Sequence, residues 1–108
     1  MSQLPNLFGA LSDPTRFEIV ERLMKDGELS AGQIHEGFEI SKPAISRHLG
    51  VLNDAGVLNR RVSGQRRLYS VRPQAIESVC AWAIGHREFW EASLNRLEKA
   101  LMEEINRK

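Results

Sequence analysis

Apolar positions along this chain fall into a series of helical periods, interrupted once by strand-like alternation. Leu4, Leu7, Phe8 and Leu11 recur at spacings of three and four, which predicts a short amphipathic helix. Pro5 stands near its start, where a proline is tolerated. Ser12-Asp13-Pro14 then supplies a cap followed by proline at the first helical position. Phe17, Ile19, Val20, Leu23 and Met24 carry the next helical period, and Gly27 ends it. Ser30 and Gln33 form an S-x-x-Q capping box. The helix they open is short, from about Ala31 to Phe38, with Ile34 and Phe38 facing inward. Ser41 caps another helix, of about residues 42–55, with Pro43 in its first turn. Ile45, Leu49 and Leu52 form its apolar stripe, with Ala44 and Val51 beside them. Only Glu39 and Ile40 separate these last two helices, so the pair is a tight helix-turn-helix.

The pattern changes after Ala55-Gly56, a helix stop. Val57, Leu58, Val62, Leu68, Tyr69 and Val71 mark two strands around Ser63-Gly64-Gln65, a hairpin of about residues 57–71. Arg72-Pro73 ends it, and a helical pattern runs from Gln74 to about residue 106. Ile76, Val79, Trp82, Ala83, Phe89, Trp90, Leu94, Leu97 and Leu101 lie on or near one stripe of it. Gly85 interrupts that stripe, at about 1 kcal/mol relative to alanine, and is a place for a bend or break. The fold class expected is mainly α with a small β-hairpin wing: one winged helix-turn-helix domain over residues 1–108.

Composition is ordinary for a globular domain of 108 residues. The opening residues lack the basic start and apolar block of a secretory signal. No apolar run approaches the roughly 18 residues needed to span a bilayer. A lone cysteine, Cys80, excludes an internal disulfide framework and suits a reducing cytoplasm; its expected role is a small buried hydrophobe. Charge changes the picture more. Overall the chain is near neutral, at +1. Lys42 to Arg72 holds seven basic residues against Asp54 alone, giving +6, while the remainder holds eight basic residues against thirteen acids, giving −5. Such segregation dedicates one face to a polyanion.

That face has the residues for duplex DNA. Phosphate contacts fix position and base contacts specify sequence, and the first turns of a recognition helix reach the bases. With Ile45, Leu49 and Leu52 turned to the core, Lys42, Pro43, Ser46, Arg47 and Gly50 face outward. Lys42 or Arg47 suits guanine O6 and N7, a contact that discriminates by about 1–3 kcal/mol when bidentate. Ser46 suits a base or a phosphate, and Pro43 and Ala44 offer apolar contact to a thymine methyl. His48 is expected to serve structure or the DNA backbone rather than base readout. In the wing, Arg60, Arg61, Arg66 and Arg67 cannot all point one way, because strand side chains alternate; Arg66 and Arg67, beside the turn, are best placed for a minor groove or its phosphates. The expected DNA-binding set is Ser41, Lys42, Pro43, Ser46, Arg47, His48, Arg60, Arg66, Arg67 and Tyr69.

Trp82, Phe89, Trp90, Leu94, Leu97 and Leu101 exceed what a small winged domain needs to cover itself. Joined by Leu4, Leu7, Phe8 and Leu11 they predict a twofold dimer through the first and last helices. A dimer presents two reading helices to two half-sites. No nucleophile–base pairing, Gly-rich phosphate loop or clustered carboxylates support an enzyme. The alternative to a DNA-binding regulator is a winged-helix module that docks an acidic protein partner.

LFGALSDPTRFEIVERL, SAGQIHEGFEISKPAISRHLGVLNDAGVL and VSGQRRLYSV together resemble the opening, helix-turn-helix and wing of the ArsR family of bacterial winged-helix repressors, and the resemblance covers nearly the whole chain. It implies a homodimeric, operator-binding repressor with Ser41, Lys42, Pro43, Ser46, Arg47 and His48 on DNA-reading positions. The chain departs from the metal-sensing members. ELSAGQ stands where their cysteine pair is expected, and His86 is alone where a spaced Asp, His, His and Glu set would lie. A zinc site needs three or four ligands, so no metal or cofactor is expected and any small-molecule effector is left open. Phe89-Trp90 with Arg96-Leu97 resembles the last helix of the non-metal branch.

Overall fold

The computed structural model describes residues 3–107 and contains six helices and one three-stranded sheet among them. In chain order these are α1 (Leu4–Leu11), α2 (Pro14–Asp26), β1 (Leu29–Ser30), α3 (Ala31–Glu36), α4 (Lys42–Asp54), β2 (Leu58–Ser63), β3 (Arg66–Val71), α5 (Pro73–Gly85) and α6 (Arg87–Arg107). They fall into two compact units, one ending at Ile76 and the other beginning at Glu77.

In the first unit, α2, α3 and α4 each start where a side chain satisfies an amide that the helix leaves unpaired. Asp13 Oδ2 accepts from the Arg16 amide at 3.0 Å, ahead of Pro14 at the first helical position. Ser30 Oγ accepts from the Gln33 amide at 3.1 Å while the Ser30 amide donates to Gln33 Oε1 at 2.8 Å, a complete capping box. Ser41 Oγ accepts from the Ala44 amide at 3.2 Å. The far end of α4 closes as a Schellman motif: the Val57 amide donates to the Leu52 carbonyl and that of Gly56 to Asn53, with Gly56 at φ +81°. The motif also puts Val57 against Leu52, both fully buried.

The core of this unit joins Leu7 and Ala10 of α1, Ile19, Val20 and Leu23 of α2, Ile34 of α3, and Ile45, Leu49 and Leu52 of α4 to Val57, just ahead of the hairpin, and to Leu58 and Tyr69 of the sheet. Phe38 packs against it partly buried. Phe17 and Met24, which share the helical period of α2, are 50% and 54% exposed. At about 100° per residue they lie roughly a third of a turn from the Ile19–Leu23 line, so the core takes that line and leaves them out. The strand order is β1-β3-β2, antiparallel throughout. The two-residue β1 pairs Leu29 with Tyr69 and Ser30 with Leu68. It carries too few residues to show alternation and was not expected. In the hairpin, Ser63 pairs with Arg66 across Gly64-Gln65. Gly64 has φ +63° and no non-glycine residue among the described ones has positive φ, which defines a type II′ turn.

In the second unit the helical pattern read as one helix is two, broken at His86. The Phe89 and Trp90 amides both donate to the His86 carbonyl there. Trp82, His86, Phe89 and Trp90 cluster, with ring centroids 4.6 Å apart for Phe89–Trp90, 5.5 Å for Trp82–His86 and 6.1 Å for Trp82–Trp90. No residue of α6 is buried. Phe89, Leu97, Leu101, Met102 and Ile105 are all more than half exposed. Cys80, expected inside, is exposed; Ala75 alone is buried in α5. No helix is long and apolar enough to cross a membrane among the described residues.

Candidate nucleic-acid interface

Helix α4 sorts its residues by side. Ile45, Leu49 and Leu52 are at most 1% exposed, while Ser41, Lys42, Pro43, Ser46 and Arg47 are all exposed. The first turn contains no acid, so the partial positive charge of the helix N-terminus adds to that of Lys42. Lys42 and Arg47 make no ion pair or hydrogen bond among the described residues. They are cations held in place by the backbone alone, with solvated heads available to an anion.

The wing divides its four arginines by register. Residues directly opposite on antiparallel strands share a face, and the pairs are Arg60 with Tyr69, Arg61 with Leu68, Val62 with Arg67, and Ser63 with Arg66. Arg60 and Arg67 therefore share the face of Tyr69. Tyr69 and Arg67 line one cleft with Lys42 and Ser46, so this is the face that looks toward α4. Arg61 and Arg66 are on the other. Arg61 is held by Glu28 through two bonds, Nε to Oε2 at 2.8 Å and Nη2 to Oε1 at 2.7 Å. That pair holds the Glu28 carboxyl below its ordinary value. Arg66 Nη2 reaches Gln33 Oε1 at 3.4 Å. Both tether the back of the wing to the β1–α3 joint. Arg66, expected to contact DNA, lies on the face of the wing opposite α4. Tyr69 is a second correction: at 5% exposure it belongs to the core and to the cleft wall, not to an open surface.

His48 is half-buried at a junction of three helices. Arg16 Nε donates to the Ala10 carbonyl at 2.7 Å and Nη2 to the Gly9 carbonyl at 3.4 Å, satisfying the end of α1. Its Nη1 lies 3.4 Å from His48 Nδ1 on α4. Asp13 Oδ2 is 3.8 Å from the same Nδ1. The Arg16 amide, and the charges of His48 and Arg16, hold the Asp13 carboxyl below its ordinary value against a smaller effect of burial. The DPTR segment thus anchors α1, α2 and α4 to one another. At the turn of the helix-turn-helix, His35 Nε2 donates to the Ile40 carbonyl at 2.8 Å. Arg16, Glu28, Gln33 and His35 were not singled out from sequence as parts of this scaffold; only the capping box marked Gln33.

Among the residues expected at a dimer contact, Leu7 is a correction, being 4% exposed and part of the core. Leu4 and Leu11 are partly buried against the same core, and Phe8 is 42% exposed. Trp82, Phe89, Leu97 and Leu101 are exposed, with Trp90 and Leu94 partly so. The Trp90 Nε1 is buried and has no hydrogen-bond partner among the described residues. Among the described residues no group of three or more His, Cys, Asp and Glu is placed to hold a metal ion.

Tight helix-turn-helix, basic hairpin and a cationic exposed helix tip define the class of winged helix-turn-helix DNA-binding regulators. Comparison with known proteins gives the family. A helix-turn-helix domain family matches residues 11–61. The transcriptional repressor SdpR of Bacillus subtilis (strain 168) is 42% identical over 80 residues, 74% of this chain and 88% of that protein. Among solved structures, an ArsR family transcriptional regulator superposes with a TM-score of 0.75 at 29% identity, covering 82% of this chain and 91% of the other. A possible transcriptional regulator for arsenical resistance gives 0.68 at 32% identity, covering 88% and 95%. The chain belongs to the ArsR family of winged helix-turn-helix transcriptional regulators. These relatives are regulators rather than enzymes, and they do not favour the protein-docking alternative.

Proposed function

We propose that the protein is a cytoplasmic, non-enzymatic repressor that binds a palindromic operator as a homodimer. In this reading Lys42, Pro43, Ser46 and Arg47 enter the major groove, and Arg60 and Arg67 hold the flanking backbone. The carrying observation is that α4 turns Lys42, Ser46 and Arg47 outward with no internal partner, while register sets Arg67 on the same side. Repression is supported by the likeness to a named repressor. Pairing is supported by Phe89, Leu97, Leu101 and Ile105, which are at least 54% exposed along α6, an apolar surface that a second copy would remove from water.

The test uses a fragment selected from genomic DNA by the purified protein. The Lys42→Ala, Arg47→Ala double variant is expected to lose that fragment while sedimenting as a dimer; undiminished binding refutes the role given to α4. A Leu97→Glu variant is expected to sediment as a monomer, and an unchanged dimer removes α6 from the interface.

A further inference from the structure

The outer half of the wing has little to hold it. β1 pairs with β3 only at Leu68 and Tyr69, and every residue from Asn59 to Arg67 is exposed. Past that point the hairpin is a two-stranded ribbon, which by itself is marginally ordered in water. Among the described residues, the side-chain bonds from residues 59–67 to the rest of the domain are those of Arg61 with Glu28 and of Arg66 with Gln33. Glu28 accepts from two nitrogens of Arg61, at 2.7 and 2.8 Å, a paired geometry that fixes direction as well as distance. Gln33 Oε1 also accepts from the Ser30 amide, so the second bond rests on the capped start of α3. Arg61 and Arg66 share the face opposite Arg60 and Arg67, so neither bond occupies a cation of the α4 side.

We propose that Glu28 is a positioning residue for DNA: through Arg61 it holds the wing tip in place before a duplex arrives, so that Arg67 meets a phosphate without first having to be ordered. This rests on the DNA-binding reading above, in which Arg67 touches the backbone. Charge alone predicts the opposite effect for the loss of Glu28. An acid repels a polyanion, and its removal would free Arg61 as a further cation, raise affinity and steepen the salt dependence. If Glu28 acts by ordering, its removal lowers affinity instead. The bound wing still neutralises the same phosphates, so the loss is the same factor at every salt concentration. On the scale of immobilising one long side chain, that factor is about threefold per wing, or about tenfold for a dimer.

Glu28→Gln keeps the shape of the side chain and removes its charge, at an exposed position. On a duplex selected from genomic DNA by the purified protein, its affinity is expected to lie about tenfold below the wild type's across the salt range, in a parallel line. The charge-reversed pair Glu28→Arg, Arg61→Glu is expected to recover most of that loss, because the partners act as a unit. Affinity raised or unmoved by Glu28→Gln, a slope altered by about one unit or more, or a reversed pair no better than Glu28→Gln overturns the proposal. Nitrogen-15 relaxation of the free protein reads the ordering with no duplex present. Backbone order parameters of residues 62–67 are expected to fall below about 0.6 in Glu28→Gln, while Leu68 and Tyr69, paired with β1, stay near about 0.85. A wing tip equally rigid in both proteins overturns the positioning role and leaves the DNA reading standing. Retained DNA binding by the Lys42→Ala, Arg47→Ala variant counts against the DNA reading alone. Should Glu28→Gln not fold, Glu28→Asp, one methylene short of the paired contact, takes its place in both measurements.

Discussion

Substituting single wing arginines by glutamine tests the division of the wing into a DNA-facing and a tethered side. Each protomer offers Lys42, Arg47, Arg60 and Arg67 on the α4 side. If each neutralises one phosphate, a dimer makes about eight such contacts and the logarithm of affinity falls against that of salt with a slope near −7. Arg67→Gln removes one contact from each half-site, and flattens the slope by about 1.8. Between 50 and 200 mM salt, the wild type's advantage over this variant then shrinks about twelvefold. Arg61 is the internal control. Two bonds of 2.7 and 2.8 Å commit it to Glu28 on the opposite face, so Arg61→Gln is expected to leave the slope unchanged. Fluorescence anisotropy on a selected duplex, repeated across that salt range, reads both variants. A slope flattened equally by Arg61→Gln and Arg67→Gln would mean that register does not sort these residues, and the reasoning would fail.

Two predictions concern the scaffold. Ser30→Ala removes one half of the capping box at a residue only 8% exposed. It is expected to cost about 1–2 kcal/mol and lower Tm by roughly 5–10 °C by calorimetry; a change smaller than the scatter between repeats would show that α3 does not depend on its cap. Asp13→Asn keeps a capping oxygen but removes a carboxyl held below its ordinary value of 3.8. A depressed carboxyl stabilises above its unfolded value and stops doing so as pH falls through the folded one. The wild type should therefore lose stability to urea more steeply than the variant between about pH 5 and pH 2, and parallel curves would rule out the Asp13 contribution.

The elements were readable where local chemistry acts alone. Ser30, Ser41, Asp13 and Gly56 mark helix ends by side chain or backbone freedom, and all four act where the sequence places them. Ile45, Leu49 and Leu52 declare the buried side of α4, which leaves Lys42, Ser46 and Arg47 outside by subtraction. What was hidden depends on pairing across the chain. Alternation separates Arg60 from Arg61 but does not say which faces α4; that is set by the register with Leu68 and Tyr69 and by the acid at Glu28. For the same reason the burial of Tyr69 and the placing of Arg66 opposite α4 were not legible. Leu7 and Phe8 both belong to an apolar period, and only packing on α2 and α4 decides that one is core and the other open.

One guanidinium terminates the first helix, contacts the histidine of the fourth and extends from the amide-capped start of the second. The first helix thus cannot fray privately: releasing its last carbonyls frees the Arg16 side chain and takes support from beneath His48. Hydrogen-exchange protection in those segments should accordingly rise and fall together, so that whatever steadies the first helix also steadies the exposed cationic face of the fourth.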